Sequence, residues 1–208
     1  MTVVVVSQNR SFDSARNERR DCVDSRLIEF LVALSFDPVT LPNIGAAGHA
    51  VVARVRPQAI VLSGGNSVGL EPQRDATEWE LLRYASTHEI PVLGICRGMQ
   101  FMNHYLGGTL KGVTGHAGTR HPVRSRNPEF SRVSVNSFHD HQLDRLGAGF
   151  SAEAISEDGV IEAIIHSQHH WVGIMWHPER EAHFSEEDCR LVKKVLTGPG
   201  FGRGRKTK

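Results

Sequence analysis

Cysteine is scarce and scattered in these 208 residues: Cys22, Cys96 and Cys189 stand far apart, and no two form a Cys-x-x-Cys pair. An odd count without a framework excludes a disulfide-stapled secreted scaffold and fits a reducing compartment, so the expected location is cytoplasmic. Long apolar runs are missing as well. The β-branched run at residues 3–6 is too short for the apolar region of a signal peptide, and nothing approaches a membrane span. Neither sign of charge is in excess, since 24 Lys and Arg face 23 Asp and Glu for a formal net charge of +1. No global field therefore argues for nucleic acid or an acidic membrane as a partner. Gly64-Gly65 lacks the Lys-Ser/Thr of a P-loop, and no Gly-x-Gly-x-x-Gly follows a strand. Histidine is plentiful, at twelve, but His166, His169, His170 and His177 match no zinc-ligand spacing. No metal and no cofactor are expected.

What is present is a chain long enough for one α/β domain with a full core. Residues 3–6 read as a parallel strand buried on both faces. A helix is expected over 21–34, strands over 38–42 and 59–62, and a short helix over 49–55 between them. An amphipathic helix over 74–88 follows, then a strand at 91–95 and a helix at 98–106. The alternation predicts a doubly wound, mostly parallel sheet flanked by helices, with sites at the carboxyl ends of the strands. Beyond Gly107 the rhythm shortens into pieces at 132–135, 152–156, 161–166 and 171–175. These read as antiparallel or mixed strands extending the sheet before a closing helix at 185–196. One domain over 1–197 is expected, with a basic, glycine-rich tail at 198–208 that holds no fixed structure.

The most informative stretch is Pro91-Val92-Leu93-Gly94-Ile95-Cys96-Arg97-Gly98-Met99-Gln100. An apolar strand runs into a cysteine with a glycine two residues to either side, then into a helix. A side chain at such a turn is pushed out of the sheet, and the glycines permit strain and close approach. The helix N-terminus favours thiolate. A nucleophilic cysteine needs a base and a group that orients the base. Trp176-His177-Pro178-Glu179 offers both. Pro178 biases His177 to extended backbone, which puts His177 and Glu179 on one side.

Gly94-Ile95-Cys96-Arg97-Gly98-Met99-Gln100 followed by Trp176-His177-Pro178-Glu179 resembles the class I glutamine amidotransferase family. Val61-Leu62-Ser63-Gly64-Gly65 resembles its glycine turn, and Val135-Asn136-Ser137-Phe138-His139 its substrate loop. The resemblance implies attack of Cys96 on a γ-glutamyl amide, with His177 as base then acid and Glu179 as orienting carboxylate. It implies an oxyanion hole from the N–H groups of Gly65 and Arg97, the Arg97 side chain being left for structure. Gln100, Ser137 and His139 are implied substrate-binding residues.

Arg74-Asp75 with Glu78, together with the 135–139 loop, resembles the γ-glutamyl-γ-aminobutyrate hydrolase branch. Residues 17–21, with Gln8 and Arg10, resemble a short offshoot in which some members cleave γ-glutamyl nucleotide phosphoramidates. Only residues 66–73 separate Gly65 from Arg74, where the polyamine-pathway hydrolases carry a longer acidic and aromatic loop, so γ-aminobutyrate as leaving amine is not carried over. Arg10, Arg20, Arg97, Arg120 and Arg124 are candidates to meet a phosphate. His116 and His121 are placed in a loop on the leaving-group side.

The expected function is hydrolysis of a γ-glutamyl amide, releasing glutamate and an amine such as a nucleotide phosphoramidate or a small amine. The rival is a glutaminase subunit that passes ammonia to a separate synthetase. A binding protein on a degenerate scaffold would not need to keep all three matched groups. Expected partners are a small γ-glutamyl substrate and, among proteins, a separate synthetase or a homodimer mate, with no nucleic acid and no membrane.

Overall fold

A computed structural model describes residues 2–198. The expected tail, apart from Gly198, lies outside the described residues. Nine strands form one sheet in the order β4-β1-β5-β6-β13-β12-β11-β8-β9. Its parallel part comprises β1 (Thr2–Ser7), β4 (Phe36–Leu41), β5 (Ala59–Leu62), β6 (Val92–Ile95) and β13 (Trp171–Ile174). Residues 4–6 and all of β5, β6 and β13 are buried, as their continuous apolar runs require of strands covered on both faces. The other part is antiparallel: β12 (Ile161–His166) on β13, then β11 (Phe150–Ser156), β8 (Ala117–Ser125) and β9 (Arg132–Phe138).

The helices follow their capping and packing chemistry. In α1 (Ser25–Ala33) the Asp24 side chain accepts from the Arg26 N–H, and Leu27, Phe30 and Leu31 form the buried stripe. A short helix, α2 (Gly48–Val55), precedes β5, and α3 (Pro72–His88) starts with proline at its first position. The buried stripe of α3 is not purely apolar, because it includes Arg74 and Glu78 beside Leu81, Leu82 and Ala85; Trp79 is 45% exposed. From Arg97 to Asn103, α4 (Arg97–Tyr105) is buried. Ser185 caps α5 (Glu186–Thr197).

The chain crosses from β1 to β4 in one direction and from β5 to β6 in the other. Right-handed crossovers then put α1 and α3 on opposite faces and leave a crevice at the carboxyl ends of β1 and β5. Sequence expectation and structure part in two places. Asp21 and Cys22, expected as helix, end strand β3 (Glu18–Cys22), which pairs with β2 (Asn9–Asp13) as a hairpin, and residues 23–24 form an irregular entry to α1. After α4, β7 (Thr109–Gly112), β8 and β10 (His141–Arg145) were not anticipated. Their burial is patchy, so no continuous apolar run announces them.

Candidate active site

Cys96 lies between β6 and α4 with φ 51° and ψ −105°, a left-handed conformation costly for a residue with a Cβ. Two backbone bonds hold it there: its N–H donates to the Ile174 carbonyl at 2.8 Å, and its carbonyl accepts from the Gln100 N–H at 3.1 Å. The flanking glycines are steric necessities. A Cβ on Gly98 would stand 2.1 Å from the Leu62 carbonyl oxygen, and one on Gly94 would stand 2.4 Å from the Met102 sulfur. The turn can form only because α4 lies directly on β5 and β6.

His177 follows β13, on the strand that pairs with β6, so it emerges beside Cys96. Its Nδ1 is 2.7 Å from Glu179 Oε1, and both residues are buried. A Cβ on Gly64 would stand 2.7 Å from the imidazole Cε1, so the glycine turn makes room for the ring. Burial alone would lower the His177 pKa, but the Cys96 and Glu179 side chains outweigh it and raise the value to about 9. The raised value favours the protonated ring. Its Nε2 makes no hydrogen bond of good geometry, although the Cys96 side chain is close enough to act on the ring's charge.

Asn136, on β9, fixes the backbone of His177 from both sides. Its Oδ1 accepts from the His177 N–H at 2.9 Å, and its Nδ2 donates to the His177 carbonyl at 2.8 Å and to Glu181 Oε1 at 2.8 Å. The Phe138 ring stands edge-on to the imidazole with centroids 5.7 Å apart. Sequence reading quoted Asn136 within a loop without giving it a role. An amide that pairs with a distant backbone leaves no local signature.

The glycine turn is held from behind by buried charge. Arg74 donates to the carbonyls of Ser63 at 2.7 Å and Gly64 at 2.9 Å, and to Glu78 at 3.0 Å. Ser7 donates to the same Glu78 at 2.9 Å, and Arg97 is ion-paired to Glu78 and Asp75 while donating to the Asn66 carbonyl. Burial lowers the pKa of Arg74 to about 10 and that of Arg97 well below its usual value. The Arg97 side chain is thus fully engaged in structure. Its N–H opens α4, where no intrahelical acceptor exists. Gly65 has φ 116° and lies against the Asn9 side chain.

Among the remaining residues singled out in the sequence, Ser137 is buried with an unpartnered Oγ. Gln100 donates to the His141 carbonyl at 3.0 Å. His139 is turned away into a cluster with His116 and Glu162. His121 belongs to strand β8 rather than a loop. The five arginines considered for phosphate all have carboxylate partners: Arg10 with Asp21, Arg20 with Glu18, Arg97 as above, Arg120 with Glu181 and Arg124 with Glu157.

The Peptidase C26 family profile matches residues 2–179. Over 130 residues the chain is 35% identical to the gamma-glutamyl-CDP-amidate hydrolase of Campylobacter jejuni, covering 60% of this chain and 63% of that protein. It is 34% identical over 143 residues to a glutamine-hydrolyzing GMP synthase of a Thermotoga species, covering 66% of this chain and 27% of that one. The chain thus spans less than two thirds of the length of these curated relatives. The fold matches the crystal structure of a glutamine amidotransferase of Thermotoga maritima with a TM-score of 0.64 at 18% identity, over 94% of this chain and 84% of that one. With the match reaching from the first strand through Glu179, the chain belongs to the Peptidase C26, class I glutamine amidotransferase-like family.

Proposed function

We propose that this protein hydrolyses a γ-glutamyl amide through a γ-glutamyl thioester on Cys96. The observation that carries the reading is the buried His177, its Nδ1 2.7 Å from Glu179 Oε1, beside a cysteine on a strained turn. In the proposed reaction the Cys96 thiolate, its proton resting on His177, attacks the amide carbon. The developing oxyanion lies toward the N–H groups of Gly65 and Arg97, a preorganised pair worth on the order of 100- to 1,000-fold per donor. His177 then gives its proton to the leaving nitrogen as the C–N bond breaks. Water, deprotonated by His177, attacks the thioester, and the C–S bond breaks to release glutamate and restore the thiolate.

The likeness to the Campylobacter jejuni hydrolase favours a nucleotide phosphoramidate as the leaving group. Among the arginines, Arg120 suits a phosphate best. It is half-exposed, and its partner Glu181 also accepts from Asn136, the residue that grips His177. The second reading, ammonia delivery to a separate synthetase, draws on the likeness to GMP synthase, whose length this chain covers only in part. One screen separates them: glutamate release by the purified chain from glutamine, γ-glutamyl amines and γ-glutamyl phosphoramidates, side by side. Turnover of a phosphoramidate by the chain alone, with KM raised in Arg120→Ala for that substrate only, supports the hydrolase. Activity on glutamine that appears only with an added synthetase overturns it.

A further inference from the structure

The start of β8, the end of β9 and strand β12 bring three buried side chains, His116, His139 and Glu162, to one point that the proposed reaction does not use. His116 Nδ1 is 3.2 Å from His139 Nε2 and 3.5 Å from Glu162 Oε1, and His139 Nε2 is 3.6 Å from that same oxygen. The outer ring nitrogens are already engaged. His116 Nε2 faces Asp158 Oδ2 at 2.9 Å, and the other Asp158 oxygen accepts from Ser156. His139 Nδ1 faces the His141 carbonyl at 3.0 Å. A carboxylate and a carbonyl only accept, so each outer nitrogen carries the proton. In neutral rings the inner nitrogens then present lone pairs to each other and to a carboxylate.

Three acceptors within 3.6 Å repel unless a cation lies among them. Neither oxygen of Glu162 makes a hydrogen bond, although the residue is fully buried. An orphaned carboxylate in the interior is costly. A tetrahedral ion with bonds of about 2.0–2.2 Å to nitrogen and oxygen has ligand–ligand edges of about 3.3–3.6 Å. The triangle of 3.2, 3.5 and 3.6 Å has the dimensions of one such face.

We infer that His116, His139 and Glu162 bind a divalent transition-metal ion of the zinc class. Two imidazoles and one carboxylate suit such an ion and not calcium or magnesium, which take oxygen ligands. Asp158 and the His141 carbonyl orient the ligand rings from outside, the usual arrangement behind metal-bound histidine. His121 Nε2, 3.2 Å from Glu162 Oε1 and also without a hydrogen bond, stands nearest to complete the coordination. The ion ties the β8–β9 hairpin to β12. Because the His141 carbonyl also accepts from Gln100, the ion also steadies the turn after β9 against α4. His166, His169, His170 and His177 do not converge with this set, whose ligands sit just before β8, just after β9 and on β12.

The test uses the full chain carrying Cys96→Ser, so that sulfur beside His177 cannot take the ion. After chelation and dialysis, cobalt is titrated by visible absorption and zinc by calorimetry. One equivalent is expected to bind, with tetrahedral cobalt bands and a rise of several degrees in Tm. His116→Ala and Glu162→Gln should each abolish the bands. The half-exposed Asp158→Asn, which leaves all ligands in place, should weaken binding by about tenfold or more. No uptake at tens of micromolar metal, with His116 and His139 instead sharing a proton in NMR titration, overturns the inference. Uptake unchanged in all three variants overturns it equally, because the ion then sits elsewhere.

Discussion

Cys96 and His177 leave adjacent parallel strands, yet their supports differ in kind. Behind Cys96 the polypeptide is held by buried charge: Arg74, Arg97, Glu78 and Asp75 lock the glycine turn and the first turn of α4 to one another. Behind His177 the antiparallel part of the sheet supplies one neutral amide, Asn136, and the edge of Phe138. Charge in the interior is expensive to desolvate and costly to break, so the cysteine side should resist displacement. The amide side holds by direction rather than strength. If His177 is the base of the proposed reaction, the second kind of support suits a ring that serves sulfur, leaving nitrogen and water in turn.

The comparison breaks most visibly at Cys96, the proposed nucleophile. Cys96→Ala should reduce glutamate release to below about a thousandth of the native rate with Tm changed by no more than a few degrees. A higher residual rate would remove the cysteine from the reaction. A glutamine analogue carrying an electrophile should label Cys96 and spare Cys22 and Cys189.

Glu78→Ala tests the charged support. It strands two buried guanidiniums, and the expected loss is about 3–5 kcal/mol in urea unfolding, the range for removing one partner of a buried ion pair. Asn136→Ala tests the neutral one. It leaves the His177 N–H and carbonyl unpaired, at about 1–3 kcal/mol for each group that water does not reach. A small shift of the imidazole is worth up to about 100-fold in rate. The pattern expected is stability lost first in the Glu78 variant and kcat lost first in the Asn136 variant. Equal behaviour in both assays would erase the distinction.

The proton on His177 gives a finer probe. Its pKa is raised from 6.5 to about 9, so its stabilising contribution is complete below 6.5 and is lost as pH rises through about 9. The alkaline limb of kcat/KM should lie in that window. Glu179→Gln removes a negative partner and should move the limb toward lower pH, at a smaller cost in rate than His177→Ala, since the imidazole remains in place. A limb that stays put in Glu179→Gln would assign it to another group.

Legibility in the sequence follows the same division. Strands buried on both faces write themselves as apolar runs, so β1, β5, β6 and β13 could be read to within a residue or two, and Gly94 and Gly98 marked the turn that packing demands. The hairpin of β2 and β3 and the strands β7, β8 and β10 are half-exposed or carry charge, and their pairing depends on partners distant in the chain. Cys96, His177 and Glu179 could be singled out because the two short segments that carry them, each at a strand end, resemble the motifs of a known family. Asn136 was not, because its partner is 41 residues away. Arg74 and Glu78 stood out only through a family likeness; that they are interior follows from the packing of α3 against the glycine turn.

The smallest expected effect separates burial from charge as the cause. Arg124 and Glu157 form a salt bridge at 2.7 Å, with side chains 73% and 59% exposed, in the antiparallel part of the sheet. The contact is as short as those around Glu78, so a view that counts ion pairs would rank the two alike. In water the attraction is screened, and holding two long side chains costs rotamer entropy, which leaves about 1 kcal/mol or less. Arg124→Ala should therefore change urea stability by no more than that amount, and the change should vanish in about 1 M salt, where the screening length falls to about 3 Å. The Glu78 loss should persist at that salt, because ions do not enter the interior. If both losses faded together, the charges behind Cys96 would be acting from a wetter place than their burial indicates, and the rigid side of the site would need another support.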